Sequence, residues 1–138
     1  WQYRRHCAVN GIDWLLDTNF ILGLLKSNPE TLSMISNQQI DTRRCGYSAI
    51  TRMELLGFPG LTAEEEILIS GKLACLQYLP LTKEIEDMVI GLRRSHRVKL
   101  PDAIIAASAL TCNAQLLTHD KILHSLVTGE LTNRKGLC

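Results

Sequence analysis

Short apolar runs that alternate with helix-forming sequence are the feature that most constrains how this chain can fold. The runs predict four β-strands, at Ile12–Leu16, Arg44–Ile50, Gln77–Leu81 and Gln115–Thr118. The segments between them have amphipathic spacing and helix start signals, so strand and helix alternate along the chain. Such alternation predicts a three-layer α/β/α sandwich with a central, mostly parallel sheet.

The chain has 138 residues, enough for one domain with a sizeable core. We expect that domain at residues 12–138 and a leader or irregular segment at residues 1–11. The basic start lacks a following apolar stretch of signal-peptide length. No apolar run approaches the roughly 20 residues of a transmembrane helix, so no membrane association is expected.

The five cysteines lie at wide, irregular spacings and include no Cys-x-x-Cys pair. We therefore expect reduced thiols and a cytoplasmic location. Cys75 and Cys112 fall in apolar helical stretches and are expected to be small core residues.

Several helices are marked by their capping residues. Predicted N-caps are Asp17, Asn28 (followed by Pro29), Thr62 (in a capping box with Glu65) and Thr82. The helix after Asn28 is expected to turn Leu32 and Ile35 toward the core. Near the end, the pattern predicts a weak helix from Lys121 to Leu126, followed by a poorly specified polar tail from Val127.

Four acidic residues, Asp17, Glu54, Asp102 and Asp120, each lie beside an apolar run. Carboxylates next to core-forming segments are costly to desolvate unless a positive charge neutralises them. Asp17 and Asp120 directly follow predicted strands, Asp102 begins a helix, and Glu54 lies about one turn into another. Ligands of parallel sheets bind outside the carboxyl ends of the strands, so we expect all four acids around one crevice.

Taken singly, each acid has a structural explanation as a helix cap, a first-turn acid, a turn residue or an exposed helical charge. Their convergence favours a metal site. Oxygen ligands without a competing His or Cys cluster suit Mg²⁺ or Mn²⁺. The four carboxylates could hold one such ion or two.

The sequence around each acid resembles a motif of the PIN-domain nucleases. Leu15–Leu22 resembles their opening strand and helix, Ser48–Gly57 the second acidic motif, Leu100–Ala107 the third and Leu116–Asp120 the fourth. Order, context and approximate separations agree over nearly the whole chain after residue 11. The likeness is strongest to the VapC-type ribonuclease toxins of prokaryotic toxin–antitoxin pairs.

The resemblance implies a PIN-like fold and a Mg²⁺- or Mn²⁺-dependent endoribonuclease that leaves 5′-phosphate and 3′-hydroxyl ends. It implies that Asp17, Glu54, Asp102 and Asp120 are catalytic metal ligands, Asp120 directly or through water. Asn19 and Thr118 match supporting polar positions of the family. It also implies a small cognate antitoxin that blocks the crevice, and a homodimer formed through helices.

The chain departs from the family pattern in two places. The family often has an aromatic residue a few positions after the fourth motif, where this chain has Leu123-His124. The tail also lacks a clear fifth strand.

Any RNA-binding surface must be local, because the formal net charge is only +1. The candidate RNA-binding residues are Arg43, Arg44, Arg52, Arg93, Arg94, Arg97 and Lys99. The last four end a predicted helix, so they could instead complement its dipole. His96 and His119 are expected on the surface without a catalytic role.

Two other functions remain open at this point. One is a non-catalytic PIN-like binding module; the other is a housekeeping RNA- or DNA-processing nuclease with the same acidic site. A haloacid-dehalogenase-type phosphatase is disfavoured, because it needs a second acid where this chain has Asn19. Among RNA targets, tRNA, rRNA and mRNA stay open.

Overall fold

As predicted, strands and helices alternate along the chain. The structure is a computed structural model that describes residues 11–136, with side chains to residue 133. In chain order the elements are β1 (Trp14–Leu16), α1 (Thr18–Leu25), α2 (Pro29–Asn37), a 3₁₀ turn (Thr42–Arg44), β2 (Cys45–Ser48), α3 (Ala49–Leu56), α4 (Ala63–Ala74), β3 (Gln77–Leu79), α5 (Lys83–Ser95), α6 (Leu100–Cys112), β4 (Gln115–Leu117) and α7 (Lys121–Gly136). The four strands form one sheet in the order β3-β2-β1-β4, and every pairing is parallel.

Each strand is shorter than the sequence predicts. The clearest case is β2, which was expected to run to Ile50 but ends at Ser48. The Ser48 side chain accepts a hydrogen bond from the Ile50 backbone N–H at 3.2 Å, so the chain turns directly into α3. At its other end, Arg44 belongs to the 3₁₀ turn rather than to the strand.

Helices cover both faces of the sheet, which confirms the predicted three-layer architecture. Successive residues of a strand point to opposite faces. Accordingly Leu15 joins a core with α5, α6 and α7, whereas Leu16 joins a second core with α1, α3 and α4. Leu116 and Leu117 of β4 divide between the two cores in the same way.

The predicted helix caps are all present. The side chains of Asp17, Asn28, Thr62 and Thr82 each accept a backbone N–H of the helix that follows, and Thr62 forms a complete capping box with Glu65. The stretch from Ala103 to Leu110 in α6 is buried throughout, as its apolar sequence predicts. None of the helices among the described residues is long and apolar enough to cross a bilayer.

The predicted end of the last helix is wrong. α7 continues past Leu126 to Gly136. Leu123, Val127 and Leu131 follow one another at four-residue intervals and pack on the core with α5 and α6. The polar composition of the tail specified its structure poorly, but this single apolar stripe is enough to dock it.

Two burial predictions are also wrong. Leu32 is 45% exposed, and the neighbouring Thr31 takes the fully buried position on α2. Cys75 is exposed, because it follows the last residue of α4 and is not within an apolar face. Residues 1–10 of the expected leader, which include Cys7, lie outside the described residues, and so does Cys138.

Helices α1 and α2 approach closely at Gly23. A Cβ atom built there would overlap the Thr31 Oγ1 atom of α2. We expect Gly23→Ala to destabilise the protein by about 1–3 kcal/mol, because the added methyl group would overlap a fully buried side chain. The free energy of unfolding in urea measures the effect.

Gly91→Ala in α5 is the matched control, since nothing lies within 4 Å of a Cβ at that position. It should stabilise the protein by about 0.5–1 kcal/mol, the usual gain from replacing glycine in a helix. Equal effects of the two substitutions would contradict a close contact at Gly23.

Candidate active site

Asp17 lies at the carboxyl end of β1, one of the two inner strands, and is only 5% exposed. Its Oδ1 atom accepts the Phe20 backbone N–H at 2.7 Å, which caps α1. Its Oδ2 atom accepts a hydrogen bond from the Thr118 hydroxyl, from the end of β4. The carboxylate is therefore a helix cap and, at the same time, a fixed charge facing the carboxyl edge of the sheet.

Thr118 connects two of the predicted acids. Its hydroxyl donates to Asp17 and accepts the Asp120 backbone N–H at 3.0 Å. Asp120 in turn caps α7, because its Oδ1 atom accepts the backbone N–H groups of Ile122 and Leu123 at 3.0 and 3.1 Å. One buried hydroxyl thus sets the positions of two carboxylates from neighbouring strands.

Glu54 reaches the same region from α3. Its Oε1 atom accepts a hydrogen bond from the Thr18 hydroxyl at 2.7 Å. Thr18 also lies 3.1 Å from the Thr51 hydroxyl, which ties α1 to α3. The sequence analysis missed Thr18; its place directly after Asp17 is the signal that could have identified it.

The pKa shifts place Asp102 among the other acids. Burial, then the charges of Asp120 and Glu54, raise the pKa of Asp102, against a lowering by Lys99. Burial is also the largest cause that raises the pKa of Asp17, with a further contribution from Asp102. Thr118, the Phe20 N–H and His119 lower it without reversing the shift. The carboxylates are thus close enough to oppose one another's ionisation.

Two adjoining depressions open beside these acids. The first, here called the α1–α4 cavity, has a volume of about 640 Å³. Its polar lining includes Asp17, Thr18, Asn19, Lys26, Glu54 and Asp102, and its apolar wall includes Leu22, Leu25, Phe58, Leu61, Leu68 and Ile69. Lys26 was missed because it follows the last residue of α1, where no motif marks it.

The second depression, here called the α6–α7 groove, has a volume of about 620 Å³. It contains Asp102 and Asp120 together with Arg97 and Lys99. Asp102 lines both depressions. The four predicted acids thus line two adjoining depressions, with Asp17 and Glu54 on one side of Asp102 and Asp120 on the other.

A divalent cation fits the chemistry of these residues. Among the described residues, none of the four carboxylates forms an ion pair with a basic side chain. Negative charges that oppose one another without a protein cation favour an external one. Within residues 11–136, however, no three His, Cys, Asp or Glu side chains are grouped closely enough to hold a metal together. As the side chains stand, an ion would have at most two of them as direct ligands and would keep several waters, as Mg²⁺ commonly does.

The structure separates the basic candidates into three groups. Arg43 and Arg44 precede β2, at the opposite edge of the sheet from the acids. Arg43 pairs with Asp41 at 3.1 Å and Arg44 with Asp13 at 2.6 Å. These two pairs lower the pKa of each aspartate, chiefly through the hydrogen bonds from arginine.

Arg52 is exposed on α3, and Arg93 and Arg94 are exposed in the last turn of α5, where they complement its dipole. Arg97 and Lys99 alone among the seven candidates line the groove that contains Asp102 and Asp120. Lys99 is also the N-cap of α6 and forms no side-chain capping hydrogen bond.

Both histidines are exposed, as predicted, but each also has a partner within the protein. His96 pairs with Glu130 at 3.2 Å between the end of α5 and α7. His119 stacks on the fully buried Phe20 ring, with 5.3 Å between ring centroids. The sequence analysis missed this second contact, which joins residues that are far apart in the chain.

The parallel α/β sheet and the carboxylates at its carboxyl edge are the arrangement expected of an α/β protein with a ligand-binding site at that edge. The PIN domain model matches residues 14–127, and the chain belongs to the PIN domain family. That family consists of nucleases, which agrees with the acidic edge. A comparison with curated protein sequences finds no significant match.

Chains of several solved structures have the same fold. A toxin–antitoxin complex from Klebsiella pneumoniae contains a chain 26% identical to this one, with a TM-score of 0.66 over 77% of this chain and 85% of that one. VapBC-1 from nontypeable Haemophilus influenzae contains a chain 26% identical, with a TM-score of 0.66 over 85% and 92%. FitAcB from Neisseria gonorrhoeae contains a chain 21% identical, with a TM-score of 0.68 over 83% of this chain and 93% of that one. At this identity the likeness supports a shared fold only.

The raised pKa of Asp17 predicts a pH-dependent stability. The folded protein holds the Asp17 proton more tightly than the unfolded chain does, so stability falls as pH rises from the ordinary value of 3.8 through the raised pKa. Asp17→Asn removes this charge and keeps an acceptor for the Phe20 N–H. The free energies of unfolding of the two proteins are compared in EDTA. The value for the variant minus that for the native protein should therefore increase between about pH 3.5 and pH 7.

The hydrogen bond from Thr118 favours the ionised carboxyl, but the net pKa of Asp17 is raised with that bond included. The change of the difference with pH is therefore the diagnostic quantity. Asp87→Asn, on the exposed side of α5, is the control and should show a smaller change. A pH-independent difference for Asp17→Asn would show that Asp17 carries no burial penalty.

Proposed function

We propose that this chain is a divalent-metal-dependent endoribonuclease and the toxin of a toxin–antitoxin pair. The observation that carries the proposal is the buried Asp17 carboxylate, opposed by Asp102 at the carboxyl edge of a PIN-domain sheet. Burying a carboxylate beside another without a basic partner is costly unless a ligand uses the charge.

In this proposal Asp17 and Asp102 would be direct ligands of Mg²⁺ or Mn²⁺. Glu54 and Asp120 would hold the ion through water, or would become ligands when substrate binds. The ion, when bound, supplies an acidified water and neutralises charge on the phosphate. The chain's own polar residues fix its carboxylates: Thr118 holds Asp17 and Asp120, and Thr18 holds Glu54. These side chains are ordered before any ligand arrives, which reduces the cost of assembling the site.

RNA is proposed to lie in the α6–α7 groove. This groove brings Arg97 and Lys99 to the same depression as Asp102 and Asp120, and phosphate contacts by Lys and Arg dominate nucleic-acid affinity. Arg43 and Arg44 are poor candidates, because both are already paired with aspartates at the opposite edge of the sheet. The choice of RNA over DNA rests on the resemblance to VapC-type toxins.

The α1–α4 cavity suits a protein partner better than a nucleic acid. Its wall exposes large apolar side chains, with Phe58 66% and Leu68 65% accessible to solvent. The Klebsiella relative was solved in a toxin–antitoxin complex. A small antitoxin is therefore the proposed occupant; the predicted homodimer and the cytoplasmic location remain predictions.

One observation favours the non-catalytic binding module instead: no three acidic side chains among the described residues are grouped as metal ligands. Mn²⁺ titration with a generic single-stranded RNA separates the two functions. Metal-dependent cleavage supports the nuclease, and RNA binding without cleavage supports the module. An antitoxin reading frame beside the gene would distinguish a toxin from a housekeeping nuclease.

Asp17→Asn should lower RNA cleavage by at least about 100-fold, since even partners that merely orient metal ligands are worth 10- to 100-fold. Circular dichroism should show an intact fold. Excess EDTA should abolish cleavage by the native protein and Mn²⁺ should restore it, whereas Asp87→Asn should cleave normally. Full activity in Asp17→Asn or in excess EDTA would overturn the proposed mechanism.

The RNA path is tested with the inactive Asp17→Asn protein as background. Arg97→Ala and Lys99→Ala should each weaken binding to single-stranded RNA and each reduce the salt dependence of log K by about 0.7, the value for one phosphate contact. Arg43→Ala, which removes an equal charge from the opposite edge, should leave both quantities unchanged. An equal loss in all three variants would indicate only a general charge effect.

A further inference from the structure

The closest side-chain partner of the Thr31 hydroxyl, on α2, is His119, a residue of the fourth acidic motif. Thr31 is fully buried, and its Oγ1 atom lies 2.9 Å from the His119 Nε2 atom. Its other side-chain neighbour, Asn28 Oδ1, is 3.5 Å away and already accepts two backbone N–H groups. Because a buried hydroxyl is costly without a good partner, the His119 contact is the main bond that satisfies Thr31.

The His119 ring is held from three directions. One face stacks on Phe20 of α1 at an interplanar angle of 27°. The Nε2 atom meets Thr31, and the Nδ1 atom lies 3.7 Å from the Glu30 Oε1 atom at the start of α2. These contacts attach the segment between β4 and α7 to both α1 and α2.

The contact with Thr31 can form in either neutral tautomer. With the proton on Nδ1, facing Glu30, the Thr31 hydroxyl donates to Nε2. With the proton on Nε2, the ring donates to Thr31 Oγ1, and the hydroxyl can turn toward Asn28 Oδ1. Because the bond is available in both tautomers, it can hold the ring in place in either one.

His119 lies between Thr118, which holds Asp17, and Asp120, which caps α7. A ring fixed on both sides restricts the backbone of its two neighbours. We propose that His119 is a positioning residue: it fixes the segment Thr118–Asp120 against α1 and α2 so that the carboxylates of Asp17 and Asp120 keep their places for the metal. This inference rests on the proposed function.

The test combines two readouts on three variants at His119. His119→Ala removes every ring contact, His119→Phe keeps a ring to stack on Phe20 without the hydrogen bond, and His119→Gln keeps a group able to reach Thr31. His124→Ala, an exposed histidine of α7, is the control. The readouts are the Mn²⁺ dissociation constant and amide hydrogen exchange of the metal-free protein, both well below the unfolding temperature of every variant.

His119→Ala should weaken Mn²⁺ binding by about 10- to 100-fold, the usual cost of losing a group that orients metal ligands. His119→Phe should lose a similar amount, and His119→Gln should recover most of it. In the metal-free protein, faster exchange in His119→Ala should be confined to the amides of Asp120, Ile122 and Leu123, which bond to Thr118 and Asp120. His124→Ala should match the native protein in both readouts.

A purely structural His119 would give a different result: native Mn²⁺ affinity in His119→Ala, or exchange that increases evenly over the whole sheet. Either outcome overturns the inference. If the native protein itself binds no Mn²⁺, the proposed function fails instead. The exchange pattern then still decides whether His119 holds the segment in place.

Discussion

The Asp17 carboxylate is the group on which the arrangement of the site depends. Its two oxygens accept hydrogen bonds from different elements, the first turn of α1 and the end of β4. Because Asp17 directly follows the inner strand β1, this one side chain fixes the relative positions of β1, α1 and the neighbouring strand β4. Its burial is costly for an ion, and these hydrogen bonds compensate only part of that cost.

The remaining cost connects the fold with the proposed chemistry. Asp102 raises the pKa of Asp17, and Asp120 and Glu54 raise the pKa of Asp102, each after the larger effect of burial. Among the described residues no basic side chain forms an ion pair with these groups. Their mutual repulsion is electrostatically unfavourable, and a bound divalent ion would relieve it. Unfavourable electrostatics of this kind, with shifted pKa values, are common at sites where a protein binds a ligand or catalyses a reaction.

The sequence was informative where structure is local and less so where it is distant. Strand and helix order, the caps at Asn28 and Thr62, and the placement of Asp17 and Asp120 after strands all follow from patterns within a few residues. The contact of His119 with Thr31 joins residues 88 positions apart, and no short pattern encodes it. The same limit explains why the distribution of the four acids over two adjoining depressions was not predicted, since it depends on how α1, α3 and α6 pack around the sheet edge.

The position of Asp102 between the two depressions has a consequence for how the protein could be controlled. A molecule in the α1–α4 cavity and a molecule in the α6–α7 groove would meet at one carboxylate, although the rest of their binding surfaces differ. An inhibitor would therefore need to share only one residue with the substrate. Its remaining contacts would be free to change over evolution without affecting which nucleic acid the protein accepts, so partner specificity and substrate specificity could diverge independently.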